Sequence, residues 1–366
     1  MMIGACVLLD VLQRHLLKGT MFMSSSKSDR CFNIAIVGAT GAVGEAMLSI
    51  LEERHFPVAK LIPLASARSA GSQITFKGES INVLELEHFD PHGVDIALFS
   101  AGSRVSEAYA PKFAAAGVVV IDNSSAFRYE EDVPLVVSEV NPHALKQRPR
   151  GIIANPNCST MQLMPVLAPI HREYRIERIN VATYQSVSGG GRSALEELGQ
   201  QTAQLLAFKE INPQRFPVQI AFNLIPHIDD FQSNGYTKEE MKLIWETKKI
   251  LEDSSIQVNP TAVRVPVFFG HSEAVNIETQ KKVTPEQARA LLASAPGVEV
   301  VDEWQPGGYP TPVTHASGKD PVFVGRIRED LSHPRGLNLW VVADNIRKGA
   351  ALNAIQLAEL VTGETI

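Results

Sequence analysis

Of 366 residues only three are cysteine: Cys6, Cys31 and Cys158. So odd and sparse a set excludes a disulfide framework, offers no pair at metal-ligand spacing and fits a reducing cytosol. An excess of basic charge is also missing. The formal net charge is -6 and no cluster of Lys and Arg departs from it, which excludes a nucleic-acid surface and leaves a small molecule as the expected partner. No apolar run is long enough to span a bilayer, since the stretch from Met1 to Leu17 is broken by Asp10, Arg14 and His15. No basic region precedes that stretch and no small-residue cleavage site follows it, so it does not read as a signal peptide. The expectation is a cytoplasmic protein without a metal or a membrane partner. Residues 1–31 read as an N-terminal extension, disordered or lying ahead of a true initiator at Met21 or Met23.

What is present is 45% hydrophobic and 20% charged, enough chain for two domains of ordinary size. From Asn33 the sequence runs Ile-Ala-Ile-Val-Gly38-Ala-Thr40-Gly41-Ala42-Val43-Gly44 and then into a helical pattern carrying Met47, Ile50 and Leu51. A short buried strand, a glycine turn and a helix in register open a doubly wound α/β domain. The glycines let the backbone approach a pyrophosphate, while the helix start supplies N–H donors. A tight turn without a ligand is the plainer alternative. The second strand, Lys60 to Ser66, is followed by Arg68 and Ser69 where an NAD-preferring domain places an acid. A guanidinium and a hydroxyl suit a 2′-phosphate, so the cofactor expected is NADP. Runs at Val94–Ser100 and Val118–Asp122, with a helix between them, continue the parallel sheet. Arg128, just beyond the second run, has the fork geometry to hold a phosphate or carboxylate, or is a surface arginine.

Gly151 to Ala154 is a strand-like run that meets Asn155-Pro-Asn157, after which Cys158 opens a helical pattern with Met161, Leu163, Met164 and Leu167. Unpaired first-turn N–H groups and the positive end of the macrodipole predict a thiol pKa lowered toward neutrality, hence a nucleophile. The alternative is a small buried hydrophobe. Ile179 to Ser188 alternates as a strand with one covered face, and Gly189–Gly191 ends it, allowing close approach to a ligand or a flexible connection. Four later strands, Thr261–Phe269, Glu273–Thr279, Pro321–Ile327 and Leu337–Ala343, lack a helix between each neighbour. They predict a mixed or antiparallel α+β domain, with Gln305–Gly318 as a long exposed loop. A final helix from Asp344 has no evident place there. If it returns to the nucleotide sheet, Asn345 lies near the cofactor.

Taken together, Gly-Ala-Thr-Gly-Ala-Val-Gly, Asn-Pro-Asn-Cys-Ser-Thr, Tyr-Gln-Ser-Val-Ser-Gly, Arg-Val-Pro-Val-x-x-Gly-His-Ser-Glu and Asp-Asn-Ile-Arg-Lys-Gly-Ala-Ala, in this order, resemble the bacterial branch of the aspartate-semialdehyde dehydrogenases from residue 32 onward. The resemblance implies an α/β Rossmann-like dinucleotide-binding domain with a parallel sheet over 32–154, completed by 344–366. It also implies an α+β catalytic and dimerisation domain with a mixed sheet over 155–343. By resemblance Cys158 becomes acylated, His271 is the acid/base and Gln185 orients the intermediate. Arg264, read as sharing a strand pattern with His271, binds the substrate carboxylate; Glu239, with Glu240 as the adjacent alternative, meets its amino group. Lys242 and Arg128 hold phosphate. The cofactor residues carried over are Thr40, Gly41, Ala42, Val43, Arg68, Ser69, Ser188, Gly189 and Asn345, beside the turn glycines Gly38 and Gly44. The implied reaction interconverts aspartyl phosphate and aspartate semialdehyde, on the route to lysine, threonine and methionine, in a homodimer or homotetramer. Without the resemblance, His271 could be a strand-end residue, and Glu239 and Lys242 an exposed pair on one helix face. The rival readings are N-acetyl-γ-glutamyl-phosphate reductase and a non-catalytic NADP sensor.

Overall fold

The computed structural model describes residues 30–363. The expectation for the N-terminal extension lies outside the described residues. The chain opens with β1 (Phe32–Val37), the glycine turn and α1 (Ala42–Glu53), then β2 (Val58–Ala65), a hairpin of β3 (Gln73–Phe76) and β4 (Glu79–Asn82), and the short β5 (Leu84–Glu85). Next come β6 (Ile96–Phe99), α2 (Ser103–Ala115), β7 (Val119–Asp122) and β8 (Ile152–Ala154). The first sheet has the order β5-β2-β1-β6-β7-β8, all parallel. Its central strands are buried on both faces, which is why they read as unbroken apolar runs. Gly38 turns the chain at φ +89. A Cβ on Gly44 would lie 2.4 Å from the Gly38 carbonyl oxygen, so α1 can start against the turn only with glycine there.

The second sheet follows α3 (Cys158–Tyr174). It comprises β9 (Ile176–Gln185), then, past α4 (Arg192–Leu206) and α5 (Lys238–Ile250), β10 (Gln257–Arg264) and β11 (His271–Thr279). After α6 (Pro285–Ala293) come β12 (Val298–Val300), β13 (Val322–Glu329) and β14 (Gly336–Ala343). The order β10-β9-β11-β14-β13-β12 mixes parallel and antiparallel pairs. Two sequence expectations are corrected here. The strand expected over Thr261–Phe269 runs Gln257–Arg264 instead, leaving before Pro266, so Arg264 and His271 stand on different strands that flank β9 from opposite sides. The piece Gln305–Gly318 is not wholly exposed: Gly308, Pro310 and Ala316 are buried, and Pro312–Ala316 forms a wide helical turn.

Helix α3 lies between the sheets, and every residue from Ser159 to Ala168 is buried. Its apolar side chains share one continuous cluster with Val120 and Ile152 of the first sheet and Val181, Val275 and Leu339 of the second. The terminal segment is a wide turn, Arg347–Ala351, followed by α7 (Leu352–Thr362). Leu352, Ile355 and Ala358 of α7 pack with Ile36, Met47, Leu51 and Ile121, so the last helix covers the first sheet. Beside it Lys348, 1% exposed, donates to Glu139 at 2.6 Å, Gln356 at 3.0 Å and Asn353 at 3.1 Å. Removing one member of such a buried pair strands the other charge away from water. Lys348→Ala is expected to lower stability by about 3–5 kcal/mol in urea unfolding; a loss under about 1 kcal/mol would show the pair to be dispensable.

Candidate active site

The turn Asn155–Asn157 joins β8 to α3 and is held from four directions. Asn155 N–H bonds Asp122 O at 2.8 Å, and its side chain donates to Ala350 O at 2.9 Å and accepts from Asn353 at 2.6 Å. Asn157 caps α3 by accepting from Ser159 N at 3.0 Å. Its own N–H donates to Glu246 Oε2 at 2.6 Å and its side-chain amide to Glu239 Oε1 at 2.9 Å. Cys158 is thus the first helical residue, partly accessible. A Cβ on Gly349 would lie 2.9 Å from the Cys158 Cβ, so the terminal segment packs against the Cys158 side chain. The thiol is not acidified as its place at a helix start predicts. Burial and the charge of Glu239 push its pKa up to about 12, outweighing Arg264, Lys242 and Arg128. Both effects favour the protonated thiol.

Helix α5 supplies the carboxylates. Glu239, Lys242 and Glu246 recur at three- and four-residue spacing, and all three are buried rather than exposed. Against the cost of burial, Lys242 at 2.9 Å, Asn157 and Gln185 hold the Glu239 carboxyl down to about 2, so it is ionised. Glu240 faces away: it closes the capping box with Thr237 and accepts from Ala262 N at 3.0 Å. Lys242 also pairs with Asp229 at 2.7 Å. Arg128 is buried, and donates to Glu246 at 3.0 Å, Asn155 O at 2.9 Å and Asn123 O at 2.7 Å. Arg264 donates to Ser186 O at 2.7 Å. Among the described residues no carboxylate pairs with its guanidinium.

His271 is fully buried where β11 begins, and Gln185 ends β9 between it and Arg264. Its Nδ1 accepts the Ser186 backbone N–H at 3.1 Å, which places the proton of the neutral ring on Nε2. Burial, with Arg264 nearby, pushes the imidazole down to about 3, so that neutral form prevails at physiological pH. Among the described residues Nε2 has no partner, and a Cβ on Gly189 would meet both it and Arg264, at 3.5 and 3.1 Å. Asn345 braces this corner: Oδ1 accepts from Ser186 Oγ at 3.0 Å, Ser188 Oγ at 3.1 Å and Gly270 N at 3.0 Å.

A groove of about 600 Å³ runs along the first sheet's carboxyl edge, lined by Gly38, Thr40, Gly41, Arg68, Ser69 and Ser100 among others. Helix α1 has no side-chain cap, so the N–H groups of Ala42, Val43 and Gly44 are open at its start. Such a start beside glycines fits a dinucleotide pyrophosphate. Arg68 is exposed on the groove wall, and Glu85 and Glu87 line it as well.

The structure brings Cys158, His271, Gln185, Arg128, Glu239, Lys242, Arg264, Ser188, Gly189 and Asn345 to one centre, with the glycine turn, Arg68 and Ser69 along the adjoining groove. Sequence reasoning misses Glu246, Asp229 and Ser186. The spacing of Glu246 from Lys242 and Glu239 is the one signal that could have found it.

Two family models match the chain: the semialdehyde dehydrogenase NAD-binding domain over residues 33–148 and the semialdehyde dehydrogenase dimerisation domain over residues 167–348. Aspartate-semialdehyde dehydrogenase from Legionella pneumophila is 60% identical over 339 residues, covering 92% of this chain and 97% of the relative. A crystal structure of aspartate semialdehyde dehydrogenase II from Vibrio cholerae complexed with ASA is 55% identical, with a TM-score of 0.90 over 92% of this chain and 100% of the other. The enzyme from Candida albicans with NADP is 26% identical, with a TM-score of 0.70 over 92% of this chain and 99% of the other. With two family models in tandem and a relative at this identity, the chain belongs to the aspartate-semialdehyde dehydrogenase family of oxidoreductases.

Proposed function

We propose that the chain reduces L-aspartyl 4-phosphate to L-aspartate 4-semialdehyde, releasing phosphate, through a thioester on Cys158. The observation that carries this reading is the buried, unpartnered Nε2 of His271 in the same centre as a partly accessible thiol at a helix start, ringed by Arg264, Glu239, Lys242 and Arg128. Those four charges match the substrate. The guanidinium of Arg264, which no carboxylate among the described residues neutralises, takes the α-carboxylate, the ionised Glu239 meets the ammonium, and Arg128 with Lys242 draws the phosphoryl group. An N-acetylated substrate has no ammonium to meet Glu239, which argues against the nearest rival enzyme.

Cys158 sulfur attacks the acyl carbon, the thiol proton leaves with phosphate, and an acyl–sulfur bond replaces the acyl–oxygen bond. His271 Nε2–H donates a hydrogen bond to the substrate oxygen in each tetrahedral species, the direction that its tautomer permits. The groove residues Gly38 to Gly44 would hold a dinucleotide, which would supply hydride to the acyl carbon; cleavage of the acyl–sulfur bond then frees the aldehyde, and Cys158 regains its proton from solvent. Arg68 and Ser69 favour NADP there through the 2′-phosphate, in keeping with the NADP of the Candida albicans relative. Gln185 keeps the thioester oriented through its bond to Glu239 at 3.1 Å. The outer face of the second sheet carries half-buried Ala182, Tyr184, Ala274 and Trp340, and there we place the partner of a homodimer, consistent with the matched dimerisation model. Among the described residues no helix is long and apolar enough to cross a membrane, and free thiols suit the cytoplasm.

Purified protein given aspartate semialdehyde, phosphate and NADP is expected to reduce NADP, and Cys158→Ala to cut that rate at least about a thousandfold with NADP binding retained. Turnover that ignores phosphate, or survives without the cysteine, would refute the thioester route. Arg68→Ala is expected to lower kcat/KM for NADP by about tenfold while sparing NAD, because a charge-assisted contact is lost. Equal losses with both cofactors would assign Arg68 a structural part. Since the thiol of the ligand-free protein titrates only near 12, alkylation of Cys158 by iodoacetamide should rise about tenfold per pH unit from pH 7 to 10. A plateau within that range, read by mass spectrometry of the Cys158 peptide, would show an acidified thiol instead.

A further inference from the structure

Strand β11 turns one face toward α3, and on it His271, Glu273, Val275 and Ile277 are all buried. Val275 and Ile277 belong to the hydrocarbon core, yet Glu273 is equally inaccessible, and neither of its carboxyl oxygens has a hydrogen-bond partner. Among the described residues no cation pairs with it, and isolation from water pushes its carboxyl well above the usual range. The side chain facing it is Gln162, buried on α3. Gln162 donates through Nε2 to His271 O at 3.4 Å, which leaves its Oε1 an acceptor with no donor. An acceptor lacking a donor thus stands beside the Glu273 carboxyl. An ionised carboxylate can only accept from the Gln162 amide N–H and leaves that Oε1 without a donor, whereas the neutral acid supplies the missing O–H.

The register gives this contact its meaning. Gln162 is four residues past Cys158 and so lies one helical turn directly beneath it. Glu273 is two residues past His271 and shares its face of the strand. Gln162 and Glu273 are therefore the rung beneath Cys158 and His271. Thr183 stands opposite Glu273 in the sheet and accepts from Gln185 Nε2 at 3.3 Å, so the same polar layer reaches the third residue of the centre.

We propose that Glu273 is a positioning residue: as a neutral acid it donates to Gln162 and so sets the separation between Cys158 on α3 and His271 on β11. The proposal rests on the thioester reading, in which those two side chains act on one carbonyl group.

The test uses the full chain with Glu273→Gln and Glu273→Ala. The amide keeps shape and a donor, so Glu273→Gln holds kcat within about twofold, whereas Glu273→Ala loses about tenfold or more in kcat with KM nearly unchanged. Retained NADP affinity in both variants reports that the fold is intact. Infrared spectra of the substrate-free protein at neutral pH should contain a protonated-carboxyl C=O band that disappears in Glu273→Gln. Absence of that band, full activity in Glu273→Ala, or equal damage from Gln and Ala would each overturn the proposal. The band is read without turnover, so its presence in a protein whose Cys158→Ala variant stays active would sink the thioester reading and leave the neutral acid standing.

Discussion

The start of α3 is fixed by two carboxylates from a helix that lies some eighty residues further along the chain. Glu246 takes the Asn157 backbone N–H and Glu239 takes its side chain, so α5 determines where the nucleophile's helix begins. Everything else in the centre is arranged around the charge this brings inside. Arg128 balances Glu246, while Lys242 balances Glu239 with Asp229 alongside. Buried pairs of this kind return little net stability, because desolvation consumes most of their attraction. Their contribution is geometric: with both acids and both cations mutually tied, the turn, the thiol, Arg128 and Lys242 are held as one body.

That arrangement sets the chemistry of the resting state. Three cations near a thiol would ordinarily release its proton, but here the nearest anion and the exclusion of water win. The imidazole is likewise held neutral, with its proton directed by the Ser186 amide. Thiol and imidazole are therefore both uncharged. A ligand that shields Glu239 with its ammonium removes the anion that most opposes a thiolate. On the proposed function, recognition of the substrate's amino group and readiness of Cys158 share a single residue.

How much of this is legible in the sequence depends on the range of the pattern. The glycine turn, the strand runs and Cys158 at a helix start are written within a dozen residues each, and local sterics suffice to read them. Glu239, Lys242, Arg264 and His271 are single polar residues in amphipathic surroundings, and only the family resemblance picks them out, whereas Arg128 is marked by its place past a strand of the first sheet. Glu246 escapes even that, since a glutamate seven positions after another on a helix ordinarily faces water. The thiol's acidity is misjudged because a helix start is a local feature while burial and the charge of Glu239 are tertiary. The strand drawn through to Phe269 fails at Pro266, where the chain leaves β10 and crosses over to the far side of β9 before His271.

Gly349 against the Cys158 side chain, and Asn353 bonded to Asn155 across 198 positions of sequence, place the end of the chain at the heart of its chemistry. A polypeptide is made from its N-terminus, and here the nucleophile and both sheets are complete before the segment that closes around them exists. Until that segment is released, one side of Cys158 is bare and the first sheet has no cover over Ile36 and Ile121. Birth order therefore gives Cys158 this neighbour late: a chain stopped short of Gly349 carries the thiol with that side uncovered.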